Sequence, residues 1–299
     1  MKDKGILYAL GAYATWGLFP IYWKWLHQVA APQLLAHRIG WSFVLLALVM
    51  SVSGQWQALR QTLTGKVLRI YLAAALLIGV NWLTYVWAVN AGFIVETSLG
   101  YFINPLLSVL LGLIFLREKL RPLQWIPIGL AAAGVIYLTL NYGRLPWIAL
   151  TLAFSFGFYG LVKKTAPLSS LFGLTLETEI LFVPAVAFLV WQEVAGQAAF
   201  LHDGAQTDLL LVGAGLVTTV PLLMFASAAK RIPLATIGIM QYLAPTIQLL
   251  IGIFIYKEDF GATQMIGFGI VWLALLIFWL ESVYAHRALP VQPLPEMGE

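Results

Sequence analysis

The amino-acid sequence repeats itself once, because its second half aligns on its first half without gaps at an offset of 140 residues. Each half contains five long apolar segments. Identical residues that this shift superimposes are Ala9/Ala149, Leu10/Leu150, Gly17/Gly157, Lys24/Lys164, Pro105/Pro245, Gly112/Gly252, Glu118/Glu258, Gln124/Gln264 and Gly129/Gly269. Because five is odd, the second half must enter a membrane from the side opposite to the first. Inverted repeats of this kind build secondary transporters, whose substrate site lies near the bilayer midplane.

The composition places the chain in a lipid environment. Of 299 residues, 61% are hydrophobic and 10% are charged, whereas soluble domains carry about 25% charged residues. The absence of cysteine excludes disulfides, thiolate catalysis and cysteine-based metal sites. The net charge of +4 comes from basic residues scattered in short loops, so no nucleic-acid partner is expected. The first apolar run, 5–23, is expected to be a retained helix.

The apolar runs predict an all-α integral membrane protein of ten transmembrane helices, arranged as two inverted five-helix repeats. A spanning helix needs roughly 20 predominantly apolar residues. The predicted spans are 5–23, 33–53, 67–90, 97–116, 123–141, 146–162, 172–192, 208–229, 236–256 and 262–281. The first repeat is expected to comprise 1–141 and the second 142–285, followed by a disordered cytoplasmic tail over 286–299.

The basic residues sort by side of the membrane in this arrangement. With the N-terminus inside, thirteen of the 17 lysines and arginines lie in inner segments. Outer loops hold Lys24, Arg144 and Lys257, and Arg38 lies within a span. Loops rich in lysine and arginine stay on the cytoplasmic side. Both termini are therefore predicted to be cytoplasmic.

Two prolines occupy equivalent positions within their spans, Pro105 in span four and Pro245 in span nine. A helical proline lacks an amide hydrogen and disturbs the carbonyl four residues earlier, here that of Tyr101 and of Gln241. A loosened backbone at membrane depth is tolerated where it is buried or lines a cavity. The pair predicts hinges facing a central site, with simple kinks as the alternative. The predicted substrate cavity comprises Asn81, Trp82, Tyr85, Tyr101, Phe102, Asn104, Gln241 and Tyr242.

Charged and titratable side chains inside spans are rare and mark functional candidates. His37 and Arg38 lie in span two, and Glu177 and Glu179 lie in span seven. Their depths leave on the order of 15 Å between the two sets, so no Arg38–Glu177 salt bridge is expected. His37 and Glu177 are repeat equivalents, and Glu177 is expected to face a watery cavity. His37, Arg38 and Glu177 are candidates for coupling or gating; alternatively, Arg38 extends to the outer interface.

Nothing in the sequence indicates catalysis. It contains no Gly-rich phosphate loop, no HExxH zinc pair and no GxSxG elbow. Glu177 and Glu179 are two residues apart on a helix and point about 200° apart, which argues against a catalytic dyad. The chain is therefore not expected to be an enzyme or to need a cofactor or metal.

Several segments resemble the RarD group, in the EamA-type branch of the drug/metabolite transporter superfamily. They are the HR of span two, NWLTYVWAVN, ETSLGYFINPL, LAFSFGFYGLVKK, VTTVPLL and MQYLAPT. The resemblance implies a bacterial inner-membrane permease that works by alternating access, and RarD proteins are associated with chloramphenicol. It implies a central cavity built from spans one, three, four, six, eight and nine, with spans five and ten peripheral. Residues within the matching segments are His37, Arg38, Asn81, Trp82, Asn90, Tyr101, Asn104, Glu177, Pro221 and Gln241.

These patterns favour an exporter of a small amphipathic solute, driven by protons or by exchange. An aromatic cavity with few charges suits a flat molecule that is weakly charged or zwitterionic. The expected partners are the lipid bilayer and this small molecule. The alternative is a passive channel or a membrane scaffold. A channel would show rings of like charge or a continuous polar stripe, and the sequence shows neither.

Overall fold

The computed structural model describes residues 2–91, 93–142, 145–256 and 261–287, and the regular structure within them is helical. Apart from a short 3-10 helix at Pro122–Gln124, these residues form twelve α-helices. The helices are α1 Lys2–Lys24, α2 Ala31–Val52, α3 Trp56–Thr62, α4 Gly65–Asn90, α5 Ile94–Phe115, α6 Trp125–Tyr142, α7 Trp147–Thr165, α8 Ser170–Val194, α9 Ala205–Ala229, α10 Leu234–Gln241, α11 Leu243–Phe254 and α12 Ala262–Arg287.

Within the described parts of the chain, five helical segments are long and apolar enough to cross a membrane. They are Ala31–Val52, Gly65–Ala88, Pro122–Asn141, Ser170–Val194 and Ala205–Ala229. Local sequence sets where such helices begin. A proline lies in the first turn of α2, where its missing amide hydrogen is not needed. The Ser169 hydroxyl caps α8 by accepting a hydrogen bond from the Phe172 amide at 3.2 Å.

The segment predicted as span nine, 236–256, is not one continuous helix in the structure. The structure divides this segment into α10 and α11, and the division falls at Tyr242. Pro245 lies three residues later and donates no hydrogen bond to the Gln241 carbonyl. In contrast, α5 continues through the equivalent Pro105. The equivalent prolines therefore differ: the helix is divided near Pro245 in the second half, and it is continuous through Pro105 in the first half.

The helices form two compact units. One unit contains α1–α5 and α7–α11, and the other contains α6 and α12. In the smaller unit, α6 packs on α12, and an ion pair joins Arg121 to Glu281 at 2.9 Å. In the larger unit, helices from the two sequence halves pack on one another, as in the α5–α7, α2–α9 and α1–α11 pairs.

Two glycine contacts show that the sequence repeat is also a repeat of packing. A methyl group on Gly17 of α1 would lie 2.7 Å from the Ile247 side chain of α11. A methyl group on Gly157 of α7 would lie 2.9 Å from the Leu107 side chain of α5. The 140-residue shift converts the first pair into the second with the halves exchanged. Each half therefore uses the same close approach to contact the other half.

Aromatic packing forms the centre of the larger unit. Tyr13, Tyr159 and Phe225 are almost completely buried, and they come from α1, α7 and α9. The Tyr159 and Phe225 rings stack with their centroids 6.1 Å apart. Aromatic pairs at this spacing contribute beyond the area that they bury. This cluster holds the three helices that carry part of the cavity wall.

Candidate functional site

A cavity lies inside the larger unit. It contains about 950 Å³ of space not filled by protein atoms, including the space at its opening. Helices from both sequence halves contribute to its wall. The lining residues are Tyr13, Trp16, Phe19, Pro20, Trp23, Arg38, Asn81, Trp82, Tyr85, Gly100, Tyr101, Asn104, Leu152, Phe156, Thr218, Leu222, Gln241, Ala244, Pro245 and Gln248. The wall is therefore largely aromatic, with a few polar groups.

The structure brings most of the predicted cavity residues together. Asn81, Trp82 and Tyr85 project from α4, and Tyr101 and Asn104 project from α5. The wall also contains Gln241, Pro245 and Arg38. Residues three and four apart share a helix face, which explains the grouping on α4 and α5. Pro105, the second predicted hinge, is not one of the lining residues.

Phe102 and Tyr242 are not among the lining residues, although the sequence places both in the cavity. They are repeat equivalents and they contact each other. The Tyr242 hydroxyl donates a hydrogen bond to the Phe102 carbonyl at 3.1 Å, and the ring centroids are 6.2 Å apart. Neighbours on a helix point about 100° apart. Tyr101 and Gln241 therefore face the cavity, while the residues after them pack between α5 and the α10–α11 junction.

Arg38 lies in the cavity wall and is almost completely buried. It is 7% exposed, and its Nε donates a hydrogen bond to Thr218 Oγ1 at 3.0 Å. Its guanidinium carbon lies 4.8 Å from the centroid of the Trp23 ring and 4.9 Å from that of Trp82. Among the residues that the structure describes, no carboxylate forms an ion pair with Arg38. The charge is thus stabilised by aromatic faces and a hydroxyl without being neutralised.

Asn81 connects two helices of the wall. Its Nδ2 donates hydrogen bonds to the Leu152 carbonyl at 2.9 Å and to Ser155 Oγ at 3.0 Å, both on α7. Beside it, the Tyr85 and Tyr101 rings meet at 5.8 Å. These contacts hold α4, α5 and α7 in a fixed arrangement. The polar atoms of Asn81 that the sequence assigns to substrate therefore also stabilise the wall.

Three polar oxygens of the cavity wall have no hydrogen-bond partner among the described residues. They are Tyr13 Oη, Asn104 Oδ1 and Gln241 Oε1. Asn104 is 3% exposed and Gln241 is 6% exposed. Buried polar groups in folded proteins almost always have a partner. The residues that carry these oxygens line the cavity, so the wall contains buried acceptors that lack a hydrogen-bond donor.

Glu177 does not face a watery cavity, contrary to the expectation from the sequence. Its carboxylate accepts a hydrogen bond from Lys163 Nζ at 2.7 Å and one from the Tyr159 hydroxyl at 3.0 Å. It is 1% exposed and is not one of the lining residues. The sequence places Lys163 in an inner loop, so this ion pair is not anticipated. Glu179, two residues away, is exposed.

His37 and Pro221 are not among the residues that line the cavity. His37 is buried, and its ring lies 5.3 Å from that of Phe200. Successive residues on a helix point about 100° apart, so His37 does not share the direction of Arg38. Pro221 is buried in α9. The side chain of Asn90 lies outside the described residues.

Basic residues and one carboxylate connect the helices at one end of the larger unit, called here the basic end and defined by Glu118, Lys164 and Lys230. Glu118 accepts hydrogen bonds from the Leu234 and Ala235 amides at 2.8 and 2.9 Å. A carboxylate at this position stabilises the N-terminus of α10. Lys164 lies 3.7 Å from Glu118. The polar side chains at this end therefore join α5, α7 and α10.

Lys230 belongs to the same basic end. Its ammonium donates hydrogen bonds to the Leu168 carbonyl and, at 3.2 Å, to the Ala166 carbonyl. Burial lowers the pKa of Lys230, and the neighbouring charges of Lys163 and Arg231 lower it further. The hydrogen bonds join the end of α9 to the connection between α7 and α8.

A bundle of apolar helices from two repeated halves, around a polar and aromatic cavity, is the architecture of a membrane transporter. The model of the EamA-like transporter family matches residues 3–140 and again 145–280. The chain therefore belongs to the EamA-like transporter family, and it is a multi-pass membrane protein.

Full-length relatives support this assignment. The uncharacterized transporter YojE of Bacillus subtilis is 48% identical over 95% of this chain and 96% of its own. Protein RarD of Escherichia coli is 43% identical over 95% of this chain and 96% of its own. The chloramphenicol-sensitive protein RarD of Pseudomonas aeruginosa is 29% identical over 96% and 97%. A solved crystal structure that is 16% identical aligns with a TM-score of 0.68 over 97% of this chain and 100% of its own, which supports the fold.

Several residues of the wall were not among those predicted from the sequence. Trp16, Trp23 and Phe156 supply aromatic faces, and Thr218 and Gln248 supply polar groups. The sequence contains one indication of these residues. Trp16 and Phe156 are 140 residues apart, the repeat offset, so they occupy equivalent positions in α1 and α7. An aromatic stripe on a helix is more often packing than a binding surface, so this signal alone does not identify the cavity.

Proposed function

We propose that the protein is a secondary-active transporter that moves a small amphipathic organic solute across the bacterial inner membrane by alternating access. The cavity between helices of both sequence halves is the observation that carries this proposal. Substrate sites of such transporters lie between repeats near the midplane. An aromatic wall with a few polar groups suits a solute with a flat apolar body.

The proposed topology has ten spans in two inverted repeats, 1–141 and 142–285, with both termini in the cytoplasm. In it, α10 and α11 together make the ninth span, and α3 lies in an inner loop. The distribution of lysine and arginine supports this orientation. The basic end then lies at the cytoplasmic face, and the end of the cavity near Trp23 faces outward.

Contacts at the basic end support alternating access, since they provide a gate that can open. Glu118 holds the N-terminus of α10, and Lys164 reaches both Glu118 and the Ile232 carbonyl, the latter at 2.7 Å. Deeper in the unit, Lys163 pairs with Glu177. Release of these polar contacts would let α10 move away from α5 and α7 and expose the cavity to the cytoplasm.

The direction of transport that we propose is export, coupled to protons or to exchange. Glu177 is the candidate for a coupling proton, and His37 is its repeat equivalent. One relative is named for chloramphenicol sensitivity, which makes chloramphenicol a reasonable first test solute. Chloramphenicol has a flat aromatic body and an amide, and an aromatic wall with a few polar groups suits such a molecule.

The test is solute flux in proteoliposomes containing the purified protein, with and without an imposed pH gradient. We expect saturable uptake that Trp82→Ala abolishes, because Trp82 lines the cavity, and that the exposed Trp191→Ala leaves unchanged. Flux that does not saturate, or ionic conductance, would favour the passive channel. Equal flux in the two variants would remove the cavity from the transport route.

A further inference from the structure

The cavity contains a positive charge that the described part of the chain does not neutralise. Arg38 is the charged residue of its wall, and the structure pairs it with a hydroxyl and two indole rings. The faces of Trp23 and Trp82 stabilise a cation, but they carry no net negative charge. Guanidinium groups do not lose their proton in proteins. An anion inside the cavity would complete this arrangement.

A purely structural role does not explain Arg38. The contact between α2 and α9 has another hydrogen bond, from Ser42 Oγ to the Gly215 carbonyl at 3.2 Å. An uncharged side chain at residue 38 would fill the same space without the cost of burying a charge. Charged residues within membrane spans mark ion or substrate paths. The burial of Arg38 therefore carries a free-energy cost that a bound anion would offset.

The unpartnered oxygens of the wall add a second requirement. Asn104 Oδ1 and Gln241 Oε1 are buried acceptors, on α5 and α10. A ligand that offers no hydrogen-bond donor would leave both unsatisfied, which costs free energy. The wall therefore suits a molecule that carries an anionic group and a donor on one body.

We propose, on the basis of the transport function above, that the substrate is a small monocarboxylate with an aromatic body and at least one hydrogen-bond donor. Arg38 binds the carboxylate, because the planar fork of a guanidinium matches the two carboxylate oxygens. Asn104 and Gln241 accept hydrogen bonds from the donor. The aromatic side chains of the wall pack against the ring. A dianion fits less well, since the wall has one cation.

A matched pair of probes tests the role of the charge. Binding of 3-phenylpropionate and of its uncharged methyl ester, which also has no hydrogen-bond donor, to the purified full chain is measured by calorimetry. We expect the carboxylate to bind at least about tenfold more tightly, the ratio expected for a charge-assisted hydrogen bond. Arg38→Gln should bring this ratio close to one, while Arg69→Gln, an exposed residue of α4, should leave it unchanged. Equal affinities of the wild type for both probes would overturn the proposal without reference to any variant.

A second probe tests the amide oxygens. The compound 3-phenyllactate differs from 3-phenylpropionate by one hydroxyl donor. We expect it to bind about three- to tenfold more tightly, the ratio expected for one net hydrogen bond. The Asn104→Leu and Gln241→Leu variants should reduce this advantage. No difference between these two probes in the wild type would remove the amide oxygens from recognition.

The outcomes separate this inference from the proposed function. If proteoliposomes transport neutral or cationic solutes and the carboxylates do not bind, the transport function stands and the substrate class is wrong. If carboxylates bind in an Arg38-dependent manner and proteoliposomes transport none of them, the ligand class stands and the transport function is wrong.

Discussion

At the scale of single residues, the Lys163–Glu177 pair combines opposite charges with nearly complete burial. Their side chains are 2% and 1% exposed. Removing one partner of a buried pair leaves the other charge uncompensated, at a cost of about 3–5 kcal/mol. We expect Glu177→Gln to lower the thermal stability of the purified protein and its transport rate. Glu179→Gln, at an exposed position, should leave both close to wild type.

The double variant Lys163→Met/Glu177→Leu separates packing from coupling. Apolar side chains of similar size commonly replace a buried pair without loss of stability. We expect this variant to regain the stability that Glu177→Gln loses. If Glu177 carries the coupling proton, transport by the double variant should no longer respond to a pH gradient. A response equal to that of wild type would leave Glu177 with a structural role alone.

The sequence predicted which residues belong to the site better than it predicted where their side chains point. Arg38 stands out in the sequence as a charge within an apolar span. Its surroundings depend on tertiary packing, since the rings of Trp23 and Trp82 come from two other helices. The Lys163 pairing is missed for a related reason: a basic residue just beyond a span is expected to meet water, and here the fold buries it against Glu177.

At the scale of helices, the close approach at Gly17 and Gly157 is a testable requirement. An added methyl group would lie 2.7 Å from Ile247 and 2.9 Å from Leu107, respectively, so the helices would have to move apart. We expect Gly17→Ala and Gly157→Ala each to lower stability by about 1–3 kcal/mol. Thermal unfolding in detergent measures the change.

The exposed Gly129 of α6 is the matched control for these variants. A methyl group there meets nothing within 4 Å. Alanine favours helix over glycine by about 1 kcal/mol. Gly129→Ala is therefore expected to be neutral or stabilising. Equal destabilisation at Gly17, Gly157 and Gly129 would show that the close approach does not limit stability.

The proline pair makes a prediction about motion. Because the α10–α11 division lies beside Pro245 whereas α5 is continuous at Pro105, we expect Pro245→Ala to slow transport more than Pro105→Ala. Both variants should insert at wild-type levels, so transport is measured per molecule of inserted protein. A loss of inserted protein with an unchanged rate per molecule would contradict the hinge.

Hydrophobic periodicity predicted where most helices lie, and it could not predict their continuity. The break falls at Tyr242, three residues before Pro245, and the Tyr242 hydroxyl donates a hydrogen bond to the Phe102 carbonyl on α5. A proline alone does not decide whether a helix breaks, since α5 is continuous through Pro105. The residue type alone therefore does not tell which of two equivalent prolines lies beside a helix end.

At the scale of the whole molecule, the 140-residue repeat predicted that two similar halves build the protein, and the family model matches each half separately. Which helices contact each other across the halves could not be read from the sequence. The glycine contacts of α1 with α11 and of α7 with α5 supply part of that information. The repeat therefore predicts two similar halves, and side-chain packing decides which helices contact each other.

The proposed inverted topology can be tested by cysteine labelling. The sequence contains no cysteine, so each introduced cysteine is the only one that can react. Gln57 and Gln197 are both exposed and are separated by the repeat offset of 140 residues. An inverted repeat places equivalent residues on opposite faces of the membrane, with Gln57 in the cytoplasm and Gln197 outside. A membrane-impermeant maleimide should therefore label Gln197→Cys in intact cells and Gln57→Cys only after permeabilisation. Labelling of both from the same side would require parallel halves, and with them a different transport cycle.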